Sequence, residues 1–188
     1  MQLPRMILAS GALLGALFFT GCASSVERAP GSAVGGYKLS TEKKAAEVKI
    51  SLSAEAQNKV KDNLKFDQEE LRKHLERALS AYSLLDAGQK ESLPTVEILV
   101  TSVRVRSNFS AVAFGFMAGG DNISGDILIK DAAGATLDRF HVSATYALGG
   151  LAGGQDGARM GWLYEEFAKQ AMQEMTGLKP GPTATATH

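Results

Sequence analysis

The chain has one cysteine, three histidines and no excess of either charge, with 20 basic and 20 acidic side chains among 188 residues. A single thiol excludes an internal disulfide, so the core must hold by packing alone. Charge balance argues against a nucleic-acid partner, which selects a basic face, and against a polybasic membrane-binding surface. The histidines, His74, His141 and His188, stand at unrelated positions. No HExxH motif, cysteine pair or carboxylate cluster suggests a metal site, and none is expected. No GxSxG elbow occurs. No GxGxxG fingerprint lies between a strand and a helix, and no glycine run ends in Lys followed by Ser or Thr, so nucleotide binding is not expected. No cofactor is implied. Nothing in the sequence spells out a reaction, and the expectation is a protein that is not an enzyme.

What the chain does have is an address. Arg5 precedes an apolar stretch from Met6 to Phe19, followed by Thr20, Gly21, Cys22, Ala23 and Ser24. A positive start, an apolar core and small residues at a cut site make a secretory signal. The apolar run is shorter than the ~20 residues a spanning helix needs, and Gly11 and Gly15 weaken it further. The segment resembles the lipobox of bacterial lipoproteins, departing from it only in Phe19, where Leu is usual. Residues 1–21 are then a signal peptide, and Cys22 is the lipid-bearing N-terminus. The alternative is an ordinary signal peptide cut after Ala23. In Gram-negative lipoproteins the residue after the cysteine helps sort between membranes. Ala23 there, rather than Asp, implies the outer membrane with the domain facing the periplasm.

Residues 22–44 are rich in Ala, Ser, Gly and Pro and read as a lipidated flexible tether. Residues 45–179 read as one folded domain, and 180–188 as a disordered tail. Val48, Ile50 and Leu52 alternate with polar residues, which predicts a first strand; 54–65 fits either a short helix or a loop. Asp67 followed by Glu70 predicts a reciprocal helix cap, with Phe66 and Leu71 as a staple. Leu71, Leu75, Ala78, Leu79, Tyr82 and Leu85 form that helix's apolar stripe, with Gly88 ending it and His74 on the solvated side. A strand from Val96 to Arg106 puts Val103 and Val105 opposite Arg104 and Arg106. Ile123, Ile127 and Ile129, the turn Asp131–Gly134, and Phe140, Val142, Ala144 and Tyr146 form a hairpin. Asp126 and Asp138 are expected to pair at its surface with Lys130 or Arg139, with His141 exposed. A last helix carries Met160, Leu163, Tyr164, Phe167, Ala168, Ala171 and Met175, closed by Gly177 with Leu178 folding back. Of Trp162 and Tyr164, one is expected against the sheet and the other partly exposed. The order β-α-β-β-β-α gives an α+β fold, a mostly antiparallel sheet of about four strands with two helices on one face.

Two glycine-rich segments flank the hairpin: 113–121, with Phe114, Gly115, Phe116, Met117, Gly119 and Gly120, and 149–157, with Leu151, Gly153 and Gly154. Glycines permit tight turns, but the apolar side chains among them either extend the core or form a contact patch for a partner or a lipid surface. They are the candidate interaction loop.

These patterns occur in a telling order: Val96-Glu97-Ile98-Leu99-Val100-Thr101, then Phe114 to Gly120, then Ile127-Leu128-Ile129-Lys130-Asp131-Ala132-Ala133-Gly134, then a second glycine-rich stretch before the closing helix. Over about 45–178 the chain thereby resembles a family of proteobacterial lipoproteins, domain of unknown function 4410. That resemblance carries no established activity or catalytic residue. The order of elements is also similar to small domains of envelope-assembly and transport-accessory lipoproteins. The expected function is that of an outer-membrane lipoprotein acting by contact as an accessory or assembly factor, with an envelope protein as partner. A carrier for lipid or another apolar ligand is the alternative; an envelope enzyme is a third.

Overall fold

A computed structural model describes residues 24–28, 36–61, 65–106, 120–146 and 156–178. The signal segment, Cys22, the tail 180–188 and most of both glycine-rich segments lie outside these residues. The described elements are β1 (Ser25–Glu27), β2 (Glu47–Leu52), α1 (Ala54–Lys61), α2 (Gln68–Ala81), a 3-10 turn (Ala87–Gln89), β3 (Thr95–Arg104), β4 (Asp121–Lys130), β5 (Thr136–Tyr146) and α3 (Asp156–Thr176). The five strands form one sheet in the order β1-β5-β4-β3-β2. The fold is α+β, as expected, with a mixed sheet. β2 and β3 run parallel because α1 and α2 carry the chain across between them, and the other pairings are antiparallel.

Period-two alternation builds the sheet's inner face. Across it, Ile98, Ile127 and Phe140 stand in register, as do Val103, Ile123 and Ala144. All six are buried, together with Leu71, Leu75 and Leu79 of α2 and Leu163, Phe167, Ala171 and Met175 of α3, in one core. Burying each large aliphatic or aromatic side chain contributes about 1.5–3 kcal/mol. The outer face carries Ser102, Ser124, Ser143 and Ser25 in one row across four strands. Most of its residues are polar, with Leu99 and Leu128 the apolar exceptions, and the core helices α2 and α3 pack on the opposite face.

The expected tether over 22–44 is in part folded. β1 pairs with β5, Leu39 is buried, and the Leu39 N–H donates to the Met175 carbonyl at 2.8 Å. Glycine and proline content there masked a few residues that find partners on the sheet and α3. Residues 54–61, open between helix and loop, form α1, capped by the Ser53 hydroxyl, which accepts from Ala56 N–H at 3.1 Å.

Other expectations are corrected in detail. Asp67 caps α2 by accepting from the N–H groups of Glu69 and Glu70. The return half of the cap is not Glu70, which pairs with Lys73. The Asp67 N–H instead meets Tyr164 Oη at 2.6 Å, joining α2 to α3. Helix α2 stops at Ala81, short of Gly88. Ser83 takes the left-handed position (φ 58°), and Leu84 N–H donates back to Leu79 O. The chain turns there because Leu84 is buried and its carbonyl accepts from Ala45 N–H, which leaves Tyr82 exposed. His74 is half-buried, its ring 5.7 Å from that of Tyr164. Gly134 and Gly177 adopt positive φ, as expected, but Leu178 is exposed rather than folded back.

Candidate functional site

Both glycine-rich segments begin and end at one end of the sheet. The first leaves after Arg106, beyond β3, and returns at Gly120 before β4. The second leaves after Tyr146, the last residue of β5, and returns at α3. The strand register puts Asp121 opposite Tyr146. Gly120 is closely approached: a Cβ there would lie 2.7 Å from Thr145 Cγ2 and 3.1 Å from the Tyr146 carbonyl oxygen, so a larger residue would have to displace its neighbours. Of the candidate loop residues, Gly120 is the described one; Phe114, Gly115, Phe116, Met117, Gly119, Leu151, Gly153 and Gly154 lie outside the described residues, as does Cys22.

Beneath these roots lies a buried charge cluster. Asp121 is fully buried, and Arg106 and Arg159 nearly so. Asp121 Oδ1 accepts from the Arg106 backbone N–H at 2.7 Å and from its Nε at 3.3 Å. Asp121 Oδ2 lies 3.4 Å from Arg106 Nη2 and 3.3 Å from Arg159 Nη1. Arg106 Nη2 also donates to the Tyr146 carbonyl, and Arg159 Nη2 and Lys65 Nζ donate to the Arg106 carbonyl. One carboxylate and two guanidiniums thus tie the ends of β3 and β5, the start of β4 and the first turn of α3 into one block. Buried ions are tolerated only when paired and hydrogen-bonded in this way. The arrangement ties together the residues at which both glycine-rich segments leave the described fold.

Arg104 and Arg106, expected on one face of the strand, do not share one. β3 ends at Arg104, which is exposed, and Arg106 turns inward to Asp121. Asp121 itself escaped the sequence reading, although the signal was present: counting back by twos from Ile129, Ile127 and Ile123 puts it on the buried face. Asp138 escaped in the same way, being in phase with Phe140, Val142, Ala144 and Tyr146. It is not a surface partner of Lys130 or Arg139 but is fully buried, gripped by both Arg28 Nη groups at 2.6 and 3.0 Å. Arg28 also reaches Glu174, which Lys38 contacts as well. This second cluster fastens the end of β1 to β5 and α3, at the far end of the sheet from Asp121. The Glu174 carboxyl is pushed up by burial, but hydrogen bonds from Arg28 and Lys38 outweigh this and hold it below its ordinary range.

On the open face, Asp126 accepts from Arg139 Nη2 at 2.7 Å, as expected, and meets His141 Nδ1 at 2.8 Å. Burial raises the Asp126 carboxyl, and these two hydrogen bonds more than offset that, leaving it lowered. His141 is thereby half-buried in a pair rather than free in solvent. Among the described residues no group of three His, Cys, Asp or Glu side chains converges as a metal site would require. Tyr164 is buried beside Phe66 and His74, while Trp162, partly exposed, is the one that meets the sheet, its ring 4.8 Å from that of Tyr146. No helix among the described residues is long and apolar enough to cross a membrane.

No curated protein matches the chain. Among solved structures, a PelC variant from Paraburkholderia phytofirmans, determined as a dodecamer, is similar with a TM-score of 0.50 at 11% identity, over 83% of this chain and 100% of that one. A second PelC dodecamer structure from the same organism gives 0.47 at 11% identity, over 82% and 99%. At this identity the first likeness speaks to the fold alone. The family model described as Domain of unknown function (DUF4410) matches residues 36–150, from the segment preceding β2 to just beyond β5, and the chain belongs to that family.

Proposed function

We propose that the chain is an outer-membrane lipoprotein, anchored through Cys22, whose periplasmic domain acts by contact as a non-catalytic accessory or assembly factor of the cell envelope. The observation that carries this reading is that the residues flanking the two glycine-rich segments are held together by one buried charge cluster. Neither 107–119 nor 147–155 contains a charged residue, and both contain large apolar ones. Their roots, Arg106, Gly120 and Tyr146, are held together by the Asp121 cluster. Uncharged apolar sequence leaving the fold from neighbouring roots suits recognition of a protein partner, because burial of apolar surface is the main driving force of association. The Thr20-Gly21-Cys22-Ala23 order supports the anchor, since acyl chains gain about 0.8 kcal/mol for each buried methylene.

Photo-crosslinking in cells from position 116 tests the contact. Capture of one envelope protein in the adduct supports the reading and names the partner. A lipid that co-purifies with the detergent-free soluble domain favours a carrier of apolar molecules instead, and internal crosslinks alone count against a contact role for this segment. Membrane fractionation of Cys22→Ala tests the anchor: release into the soluble fraction is expected, and retention after a high-salt wash refutes it.

A further inference from the structure

We infer that β1 holds the membrane attachment point at the Tyr146 end of the sheet, so that this end, with Trp162 and Arg104, lies on the bilayer surface. The inference rests on the proposed lipidation of Cys22 and deepens it: the lipid fixes an orientation as well as a location.

The argument starts from chain length. Cys22 precedes Ser25, the first residue of β1, by three residues, which reach about 10 Å when extended. β1 is not a loose leader. Ser25, Val26 and Glu27 pair antiparallel with Ser143, Val142 and His141. Val26 packs against the core, and Arg28 is clamped to Asp138 and Glu174. The register gives a direction. From Glu27 to Ser25 the chain passes from His141 to Ser143, toward Tyr146. A lipid on Cys22 therefore leaves the fold at the Tyr146 end. The Arg28–Asp138 clamp lies toward the other end, eight residues and about 26 Å back along β5 from Tyr146.

The side chains at the Tyr146 end fit a bilayer surface. Trp162 is 36% exposed, its ring tilted against that of Tyr146. An indole has an apolar body and one N–H donor, which suits the headgroup boundary. Arg104, exposed at the end of β3, has the fork geometry that recognises phosphate. The far end carries a different set: Lys130 paired with Glu97, Asp138 and Glu174 with Arg28, and exposed Tyr82 beyond α2.

Trp162 is the only tryptophan, so its emission reports on one place. The lipidated full-length mature protein is reconstituted into phosphatidylethanolamine–phosphatidylglycerol vesicles with and without dibrominated acyl chains. Loss of Trp162 emission in the brominated vesicles is expected. A distal reporter, Tyr82→Trp in a Trp162→Phe background, is expected to keep its emission. Inserting a long Gly/Ser spacer between Ala23 and Ser24 is expected to keep the protein on the vesicles while abolishing the quenching. A vesicle-bound, acylated protein whose Trp162 is unquenched overturns the inference while leaving the anchor intact, and so does equal quenching of both reporters. Quenching that survives the spacer overturns the role assigned to β1. Absence of acyl mass on Cys22 refutes the anchor itself, and the inference falls with it.

Discussion

Asp138 shows how much a single buried carboxylate asks of its surroundings. It accepts from Arg28 through both oxygens and from the Arg139 backbone N–H at 2.9 Å. Arg28→Ala leaves the acid buried with the backbone donor alone and also removes the guanidinium 5.3 Å from the Phe140 ring. Breaking a buried pair from one side costs about 3–5 kcal/mol when both partners are dry. Arg28 is one-third exposed, so about 2–3 kcal/mol is expected after allowing for solvent screening. Urea denaturation checks this, with Arg28→Lys falling between because an ammonium cannot grip both oxygens. His74 gives a prediction in pH. Burial against Tyr164, helped by the nearby Arg77 charge, lowers its pKa below the ordinary 6.5, against the opposing pull of Glu165 and Glu70. A histidine lowered in the fold contributes stability that is complete above the ordinary value and is lost as pH falls through its folded value. Thermal midpoints measured from neutral pH downward through the histidine range should therefore decline, and His74→Gln should flatten that decline.

At the scale of elements, two glycines separate the sheet from the helix. Gly125 lies on the inner face of β4, opposite Val142 and Val100, beside the register shift between Val100 and Ser102. A Cβ there would stand 3.0 Å from the Leu99 carbonyl oxygen and 3.3 Å from Val100 Cα, backbone atoms that cannot swing away. Gly125→Ala is expected to destabilise by about 1–3 kcal/mol. At Gly161, in α3, an added Cβ would meet no atom within 4 Å, so Gly161→Ala should stabilise by about 0.5–1 kcal/mol through helix propensity. Opposite shifts in the urea midpoint check both. Elements of this kind were legible in the sequence wherever one period governed them. Ile123, Ile127 and Ile129, Phe140 to Tyr146, and the stripe of α3 all fall where alternation or helical spacing puts them. What escaped was long-range. The parallel pairing of β2 with β3 and the early end of α2 depend on Ala45 meeting Leu84 and Asp86, a contact with no local signature. Asp121 and Asp138 were in the buried phase, and their charge made a surface position look natural. Their arginine partners Arg106 and Arg28 lie 15 and 110 residues away.

For the molecule as a whole, the decisive element is the smallest one. β1 is three residues long and sits where composition indicates a flexible leader, yet it closes one edge of the sheet and contacts α3. Its removal has two separable consequences. The first is electrostatic: Asp138 loses Arg28, and stability falls. The second is topological: β5 becomes a bare edge strand, with the unpaired N–H and C=O groups that recruit another chain. A chain beginning at Ala29 is therefore expected to be less stable than one beginning at Ala23, and to associate with increasing concentration, read by light scattering. Asp138→Leu in the shortened chain distinguishes the two consequences. Replacing an orphaned buried acid by an apolar side chain of similar volume recovers stability, while the open edge and the association remain. A shortened chain as stable and as monomeric as its parent would show that β1 adds nothing to the fold, and the attachment point it is proposed to orient would then be free to swing.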